Sequence, residues 1–314
     1  MEDYPKTLGE FTARFSTDDA CRACLLQMRW PDGIVCSACG ATKMWETRRG
    51  LFVCASCGYN QSVTAGTVFE GTRKPLTMWF RVMWCITSQK TGASALGLQQ
   101  ALGVGTYFTA WTWPHKLRRA MVRPGRDRLS GTVEVDETYI GGVKQGMPGR
   151  GAAGKSLVLI AAQCQGTRIG RIRLARIPDA SGDSLGKALQ ETVEPGTIVL
   201  TDGWRGYANI ESLGYVHEIV STAQDEVGED LLPHCHRVAS LLKRWMLGTH
   251  QGAISHEHLD CYLDEFTFRF NRRTSCHRGK LFYRLIQQAV AVAPVPHKDM
   301  VKHARGRRPA NHNL

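Results

Sequence analysis

The sequence predicts an α/β protein in which a cysteine-rich segment and a helical segment precede a larger domain of strands and helices. Two Cys-x-x-Cys-Gly units lie within residues 31–66, which are rich in turn-forming residues. Residues 75–121 show helical periodicity, which Pro124 and Gly125 interrupt. From Gly131 onward, short β-rich runs alternate with amphipathic helical patterns. We therefore expect four segments, which are 1–70, 71–125, 130–292 and a basic tail at 293–314.

Length and charge restrict the class of protein. A chain of 314 residues accommodates two domains, and 43% hydrophobic residues suffice for an ordinary core, which excludes a wholly disordered chain. Lys and Arg number 40 against 28 Asp and Glu, which gives a net charge of +12 at pH 7. Such an excess favours a polyanionic partner such as nucleic acid, although many basic proteins have none.

The chain shows no sign of export or membrane insertion. The longest apolar runs, such as Leu157–Cys164, have only the length of a strand. Met1–Lys6 carries acidic residues and lacks the apolar core of a signal peptide. We expect a cytoplasmic protein with reduced thiols, so its eleven cysteines should bind metal or be buried rather than form disulfides.

Four cysteines have the spacing of a structural zinc site. Cys36 and Cys39 form one Cys-x-x-Cys-Gly unit, and Cys54 and Cys57 form the second. Two residues between thiolates let one tight turn direct both sulfurs at a single ion, and the following glycine lets the backbone fold back. The pattern predicts a zinc ribbon with a closed four-cysteine site; the alternative is four unrelated buried cysteines.

The N-terminal residues 1–30 are predicted as a short helical segment with Thr17 or Asp18 as a capping residue. Cys21 and Cys24 form a further Cys-x-x-Cys pair in this segment, but no glycine follows them and no second pair lies nearby. We interpret these two cysteines as core residues rather than metal ligands.

A helix over residues 94–104, a glycine turn and a second helix with a basic end are typical of a helix-turn-helix. Lys116, Arg118 and Arg119 at that end are candidates for contacts with DNA phosphates. An ordinary helical hairpin with a solvated basic face is the alternative.

The third segment alternates strands with helices. The predicted strands are Thr132–Ile140, Leu157–Gln163, Gly170–Ile177, Thr197–Thr201 and Tyr215–Val220. The predicted helices are 181–193 with Ser181 as its cap, 236–248, 256–271 and 279–292.

Carboxylates lie within one predicted strand and directly after another. Glu134 and Asp136 share one face of the first strand by period-two alternation, and Asp202 follows the fourth strand directly. A carboxylate in a core strand is costly unless something pairs with it, and a divalent cation is a natural partner. Two such carboxylates can bind the same hard metal ions, and those ions can act on a phosphodiester. An Asp-Gly turn without a chemical role is the alternative for Asp202.

The order of these elements resembles the RNase H-like fold of DDE-type transposases and integrases. Several motifs resemble the ISXO-like insertion-sequence transposases. The matching stretches are Arg29–Gly33, Ser62–Phe69, Val135–Gly142, Thr201–Trp204, Leu241–Arg244, Gly248–His250 and Tyr262–Arg273.

The resemblance implies that Asp136 and Asp202 are the first two ligands of catalytic Mg²⁺ or Mn²⁺ ions. Relatives carry Glu or Asn at a third position, which His236 occupies in this chain. An imidazole adds no negative charge and suits softer ions better than Mg²⁺. His236 could thus favour Mn²⁺, transfer protons, or be a partly buried helix residue.

Several further residues are candidates for the site. Lys243 lies seven residues after His236 on the same helix face and, with Arg244, could hold DNA phosphate, or it could be a solvated lysine. Arg272 and Arg273 could follow the DNA backbone or be ordinary surface charges.

Two acidic residues have alternative roles. Glu265 is a second candidate for the third catalytic position, but it could instead pair with Arg269 one helical turn later. Glu137 lies on the opposite strand face from Asp136, where it could support the site or form an ion pair.

We therefore expect a transposase that cleaves and joins double-stranded DNA at inverted-repeat ends and at a target. The resemblance also implies a homo-oligomer and a bacterial, nucleoid-associated location. A zinc-ribbon transcription regulator that only binds DNA and an inactive, domesticated transposase are the alternatives.

Overall fold

The computed structural model describes residues 3–122, 125–141, 155–220, 231–252 and 254–295. The chain divides into two compact units. We call Met1–Arg123 with Ser275–Leu314 the ribbon–helix unit, and Pro124–Thr274 the sheet unit. Most of the predicted basic tail, from residue 296 onward, lies outside the described residues, as does Gly142. None of the helices in the described ranges has the apolar length that a bilayer crossing requires.

The ribbon–helix unit begins with helices α1 (Leu8–Arg14) and α2 (Asp18–Arg29), which confirm the predicted helical segment. Thr17 caps α2 by accepting a hydrogen bond from the backbone N–H of Ala20 at 3.2 Å. Asp18 has a different role, because its carboxylate accepts two backbone N–H groups at the start of the third helix, at 3.1 and 3.0 Å. That helix follows a proline without a side-chain cap, so Asp18 satisfies its free donors.

The remaining elements of this unit are a small antiparallel sheet and four helices. The strands are β1 (Met44–Glu46), β2 (Phe52–Cys54) and β3 (Asn60–Gln61), and the helices are α3 (Leu76–Ser88), α4 (Ala95–Leu102), α5 (Tyr107–Ala120) and α9 (Gly279–Ala289). Helices α4 and α5 form the predicted hairpin, in which Gly103 ends α4 in the left-handed conformation at φ +61°.

Helix α9 packs with the N-terminal helices, although its sequence position predicted a place in the catalytic domain. Phe282 of α9 explains this, because its ring contacts those of Phe11, Phe80 and Trp84 at centroid distances of 5.3, 5.7 and 5.6 Å. A buried aromatic cluster of this kind provides apolar burial that a local sequence pattern does not assign to a partner.

The described part of the sheet unit contains one sheet with the order β6-β5-β4-β7-β8. Its strands are β4 (Thr132–Ile140), β5 (Ser156–Gln165), β6 (Arg168–Ile177), β7 (Ile198–Thr201) and β8 (Val216–Ile219). The first three strands along the chain pair antiparallel, and β7 and β8 run parallel to β4. The sequence predicted a mixed sheet in this part of the chain, and the structure confirms it.

Helices cover both faces of this sheet. Helix α6 (Gly182–Thr192) packs on one face, where it shares a core with Val133 and Val135 of β4. Helices α7 (Pro233–His250) and α8 (Leu259–Phe270) pack on the other face. Strand β4 therefore directs its valines into one core and its alternate residues toward α7, as the period-two pattern predicted.

The end of α8 is attached to β6 through the Asn-Arg-Arg sequence. The side chain of Asn271 accepts the backbone N–H of Ile172 at 2.7 Å and donates to its carbonyl at 3.1 Å. Arg273 donates to the carbonyl of Gly170 at 3.1 Å. An asparagine that pairs in this way satisfies two backbone groups of the edge strand, so it holds α8 in register with the sheet.

We predict that Asn271→Ala lowers the free energy of unfolding of the sheet unit by about 1–3 kcal/mol, because the backbone N–H of Ile172 loses its acceptor and its carbonyl is left with the donor from Arg173. Urea denaturation followed by circular dichroism measures the change. Asn209→Ala is the matched control, since Asn209 is exposed and makes no side-chain capping bond. Equal stability of the two variants would contradict this role of Asn271.

Candidate functional site

The four predicted zinc ligands lie together. The Sγ atoms of Cys36 and Cys57 are 3.7 Å apart, and those of Cys39 and Cys54 are 3.6 Å apart. All four sulfurs lie within 4.8 Å of one another. A tetrahedral Zn²⁺ with Zn–S bonds of about 2.3 Å places its sulfurs about 3.8 Å apart, so the cluster fits a structural zinc ion.

Local backbone geometry builds this cluster. Gly40 and Gly58 follow the two Cys-x-x-Cys pairs at φ +76° and +70°, a conformation that glycine adopts without strain. The backbone N–H of Cys57 lowers the pKa of Cys54 to about 6, whereas hydrogen bonds among the sulfurs raise the pKa of Cys39 and Cys57, so a metal ion that binds here displaces protons from the cluster. Cys21 lies in the core instead, where burial raises its pKa to about 12.

Gln61 is a further part of the ribbon, which no sequence pattern predicted. Its buried side chain accepts the backbone N–H of Ser37 at 2.9 Å and donates to the carbonyl of Val35 at 2.9 Å. Gln61 thereby connects strand β3 to the first cysteine pair. A buried glutamine at the end of a two-residue strand carries no sequence signal that distinguishes it from a surface residue.

The sheet brings the two predicted catalytic aspartates to the same level of neighbouring strands. Strands β4 and β7 pair in parallel, with Glu134 opposite Leu200, an offset of 66 residues. Asp136 and Asp202 are separated by the same offset, and Asp202 directly follows β7. Neighbouring strands lie about 4.8 Å apart, so this register brings the two backbone positions close together.

Helix α7 adds a histidine to this pair. The Nε2 atom of His236 lies 3.3 Å from Oδ2 of Asp136, and the two side chains are 52% and 19% exposed. The other carboxylate oxygen of Asp136 accepts the backbone N–H of Glu137 at 2.8 Å. An exposed imidazole therefore faces a carboxylate whose orientation the strand itself constrains.

Glu134 determines where helix α7 begins. Its carboxylate is 4% exposed, and one oxygen accepts the backbone N–H groups of His234 and Cys235 at 2.8 and 3.0 Å. These donors belong to the first turn of α7, which has no side-chain cap of its own. A buried carboxylate at this end satisfies free donors and interacts favourably with the helix dipole.

The opposite face of β4 supports the site through Glu137. The phenol of Tyr207 donates a hydrogen bond to the Glu137 carboxylate. Burial raises the pKa of Tyr207 well above its usual range, and the nearby charge of Glu137 raises it further, so the phenol remains a donor. Glu137 is thus one residue from Asp136 and is held by a buried tyrosine.

The two cations predicted near the site line different concavities. Lys243 and Arg244 are exposed on α7. Arg244 lines a concavity of about 900 Å³ together with His236 and Arg237. Lys243 lines a second concavity of about 440 Å³ with Lys155 and His256. The α7 surface around His236 is therefore basic.

Glu265 lies in a different place from the aspartates. It is 0% exposed on α8, which packs mainly against β6, and β5 separates β6 from β4. Its neighbour Asp264 has a pKa raised to about 7 by burial. The structure therefore brings His236, rather than Glu265, to Asp136.

Other arginines that the sequence suggested for DNA contacts are engaged within the fold. Arg118 is 3% exposed, and its guanidinium lies 3.3 Å from Nε2 of His115. Arg272 and Arg273 donate to backbone carbonyls and lie over the rings of Phe268 and Phe270. The positive charge of these three arginines predicted contacts with DNA phosphates, because a sequence reveals neither burial nor hydrogen-bond partners.

Among the cations of α5, Arg119 is exposed and Lys116 is half-buried. Burial lowers the pKa of the Lys116 ammonium. Arg119 is therefore the residue of this helix whose charge is most accessible to a phosphate.

We predict that Glu134→Ala lowers the free energy of unfolding of the sheet unit by about 3 kcal/mol, because two buried N–H groups lose a charged acceptor. Chemical denaturation measures this change. Glu218→Ala on strand β8 is the control, because Glu218 is exposed and its loss should change stability by less than about 0.5 kcal/mol. Similar stability of the two variants would exclude the capping role.

Comparisons with known proteins agree with this architecture. Residues 128–271 match the family model described as the ISXO2-like transposase domain, and residues 16–60 match the transposase zinc-ribbon domain. An uncharacterized protein in transposable element ISH50 of Halobacterium salinarum is 29% identical over 269 residues, covering 78% of this chain and 88% of that protein. Residues 128–271 of this chain thus belong to the ISXO2-like transposase domain family, and residues 16–60 to the transposase zinc-ribbon family.

Proposed function

We propose that this protein is an insertion-sequence transposase that cleaves DNA at transposon ends and joins the freed ends to target DNA. The register of β4 and β7 is the observation that supports this reaction most directly, because it aligns the backbone positions of Asp136 and Asp202 on neighbouring strands. His236 adds a third polar group 3.3 Å from Asp136. Two carboxylates on neighbouring strands and an imidazole on the adjacent helix suit phosphodiester chemistry better than DNA binding alone.

The donor set fits divalent ions. Asp136 and Asp202 offer the carboxylate oxygens that Mg²⁺ and Mn²⁺ prefer, and His236 offers a nitrogen that suits Mn²⁺ better than Mg²⁺. Ions bound there would activate the attacking oxygen and stabilise the leaving oxygen of the phosphodiester. We therefore expect Mn²⁺ to support activity at least as well as Mg²⁺.

Groups of the protein itself can orient the Asp136 carboxylate and transfer protons. The backbone N–H of Glu137 fixes one oxygen of Asp136, which leaves the other oxygen facing His236. His236 is half-exposed, so its ring can exchange a proton with a water molecule or a DNA hydroxyl. It could therefore act as a ligand, as a proton-transfer group, or in both roles at different steps.

Basic residues would hold the DNA. Lys243, Arg244 and Arg237 present exposed charge on the helix that carries His236, and they can neutralise phosphates close to the aspartates. Arg119 and Lys116 are candidates for contacts made by the ribbon–helix unit. Transposon ends act in pairs during strand transfer, so we also propose that the active form is a homo-oligomer on double-stranded DNA.

We predict that Asp136→Asn and Asp202→Asn each reduce cleavage by on the order of 10³-fold, since each removes several kcal/mol of transition-state stabilisation. The assay uses plasmid DNA that carries the element's own terminal repeats, with Mg²⁺ or Mn²⁺. DNA binding, measured by gel shift, should remain within about twofold of the parent.

Asp183→Asn is the control for this assay, because Asp183 lies in the first turn of α6 on the opposite face of the sheet. A parent protein that binds the repeats without cutting them would favour a DNA-binding regulator or an inactive transposase. Full activity in both aspartate variants would exclude the proposed site.

We predict that His236→Ala lowers the cleavage rate in both metals, and that His236→Glu shifts the metal preference toward Mg²⁺ because it supplies a third carboxylate. Initial rates in Mg²⁺ and Mn²⁺ give the preference as a ratio. His277→Ala is the control histidine, because His277 is exposed and belongs to the ribbon–helix unit. Unchanged rates and ratios in both His236 variants would remove this residue from the site.

A further inference from the structure

A second group of side chains with potential metal-ligand atoms lies in the sheet unit. It consists of Glu134 on β4, Cys164 on β5 and His234 in the first turn of α7, and we call it the Glu-Cys-His cluster. One ligand atom from each residue lies within 4.8 Å of the other two. The cluster is part of the sheet unit and lies outside the zinc ribbon.

The distances from the Cys164 sulfur to the other two ligand atoms resemble the sulfur–sulfur distances in the ribbon. The Sγ atom of Cys164 is 3.7 Å from Nδ1 of His234 and 4.0 Å from Oε1 of Glu134. A tetrahedral Zn²⁺ with bonds of about 2.3 Å to sulfur and about 2.0 Å to nitrogen or oxygen separates such ligands by about 3.6 Å. The Cys164 sulfur therefore lies close to ligand spacing from both partners, whereas Nδ1 of His234 and Oε1 of Glu134 are hydrogen-bonded to each other and would separate by roughly 1 Å to share the ion.

The two oxygens of Glu134 have separate roles. Oε2 accepts both backbone N–H groups of α7, whereas Oε1 faces His234 Nδ1 and the Cys164 sulfur. Cys164 is also next to an irregularity in the pairing of β5 with β6, which falls between Ala162 and Cys164. Such bulges redirect a side chain, and here the redirected sulfur completes the cluster.

We propose that the Glu-Cys-His cluster binds a Zn²⁺ ion, in addition to the ion held by the ribbon. A glutamate, a thiolate and a neutral imidazole together carry two negative charges, which balance the charge of the ion in a largely buried setting. Mixed oxygen, sulfur and nitrogen ligands favour Zn²⁺ over Mg²⁺. Three protein ligands leave a fourth position for a water molecule.

This ion would position the catalytic residues. Glu134 lies two residues before Asp136 on β4, and His234 lies two residues before His236 on α7. A bond from each of them to one ion joins the strand and the helix just before the residues that meet 3.3 Å apart. Binding of this ion does not depend on the proposed strand transfer.

The test counts zinc in the full-length protein after dialysis against excess Mg²⁺, which displaces zinc from carboxylate sites. We expect about two Zn²⁺ ions per chain in the parent, and about one in Cys164→Ser and in His234→Gln. The second substitution keeps the backbone N–H that Glu134 accepts, so the helix cap is preserved. Cys261→Ser is the control, because Cys261 lies on α8 outside both clusters, and it should retain about two ions.

Cobalt substitution of the parent gives an answer that needs no variant. Co²⁺ should produce two steps of thiolate charge-transfer absorption, a larger one from four cysteines and a smaller one from Cys164. If a variant fails to fold by circular dichroism, these steps decide the question. A single step in the parent, or equal zinc in the parent and in a folded Cys164→Ser variant, would overturn the proposal.

Discussion

The position of the whole candidate site depends on the buried carboxylate of Glu134. By accepting the first N–H groups of α7, it fixes the start of that helix against the middle strand of the sheet. The helix then presents His236 to Asp136, two residues further along each element. A carboxylate so deeply buried is stable because it interacts with the positive end of the helix. The geometry at Asp136 therefore follows from an interaction two residues away.

Strand β4 separates structural and chemical roles by its two faces. Val133 and Val135 enter the core under α6, whereas Glu134 and Asp136 face α7. Glu137 shares the face of the valines and is held by the phenol of Tyr207. The pleat of a strand allows this division because successive side chains point in opposite directions. A single nine-residue strand thus contributes to the core, the helix cap and the site.

Arginines have two roles in this protein, and their charge alone does not distinguish these roles. Arg272 and Arg273 attach the end of α8 to neighbouring backbone, and Arg118 is buried among helices. The guanidinium group suits this role because it offers several donors in a fixed plane and stacks on aromatic rings. On α7, by contrast, Arg237, Lys243 and Arg244 are exposed. This helix therefore offers positive charge for a phosphate on the element that carries His236.

The sequence alone determined the elements and the spacing of the ligands. Period-two and helical patterns place β4 and the helices with small errors at their ends, and the spacing of Cys36 and Cys39 predicts the ribbon because a tight turn is a local property. Only the tertiary structure decided which distant residues meet. The register of β7 on β4, the burial of Arg118 and the meeting of Cys164 with His234 depend on contacts between segments far apart in the chain, which no local pattern encodes.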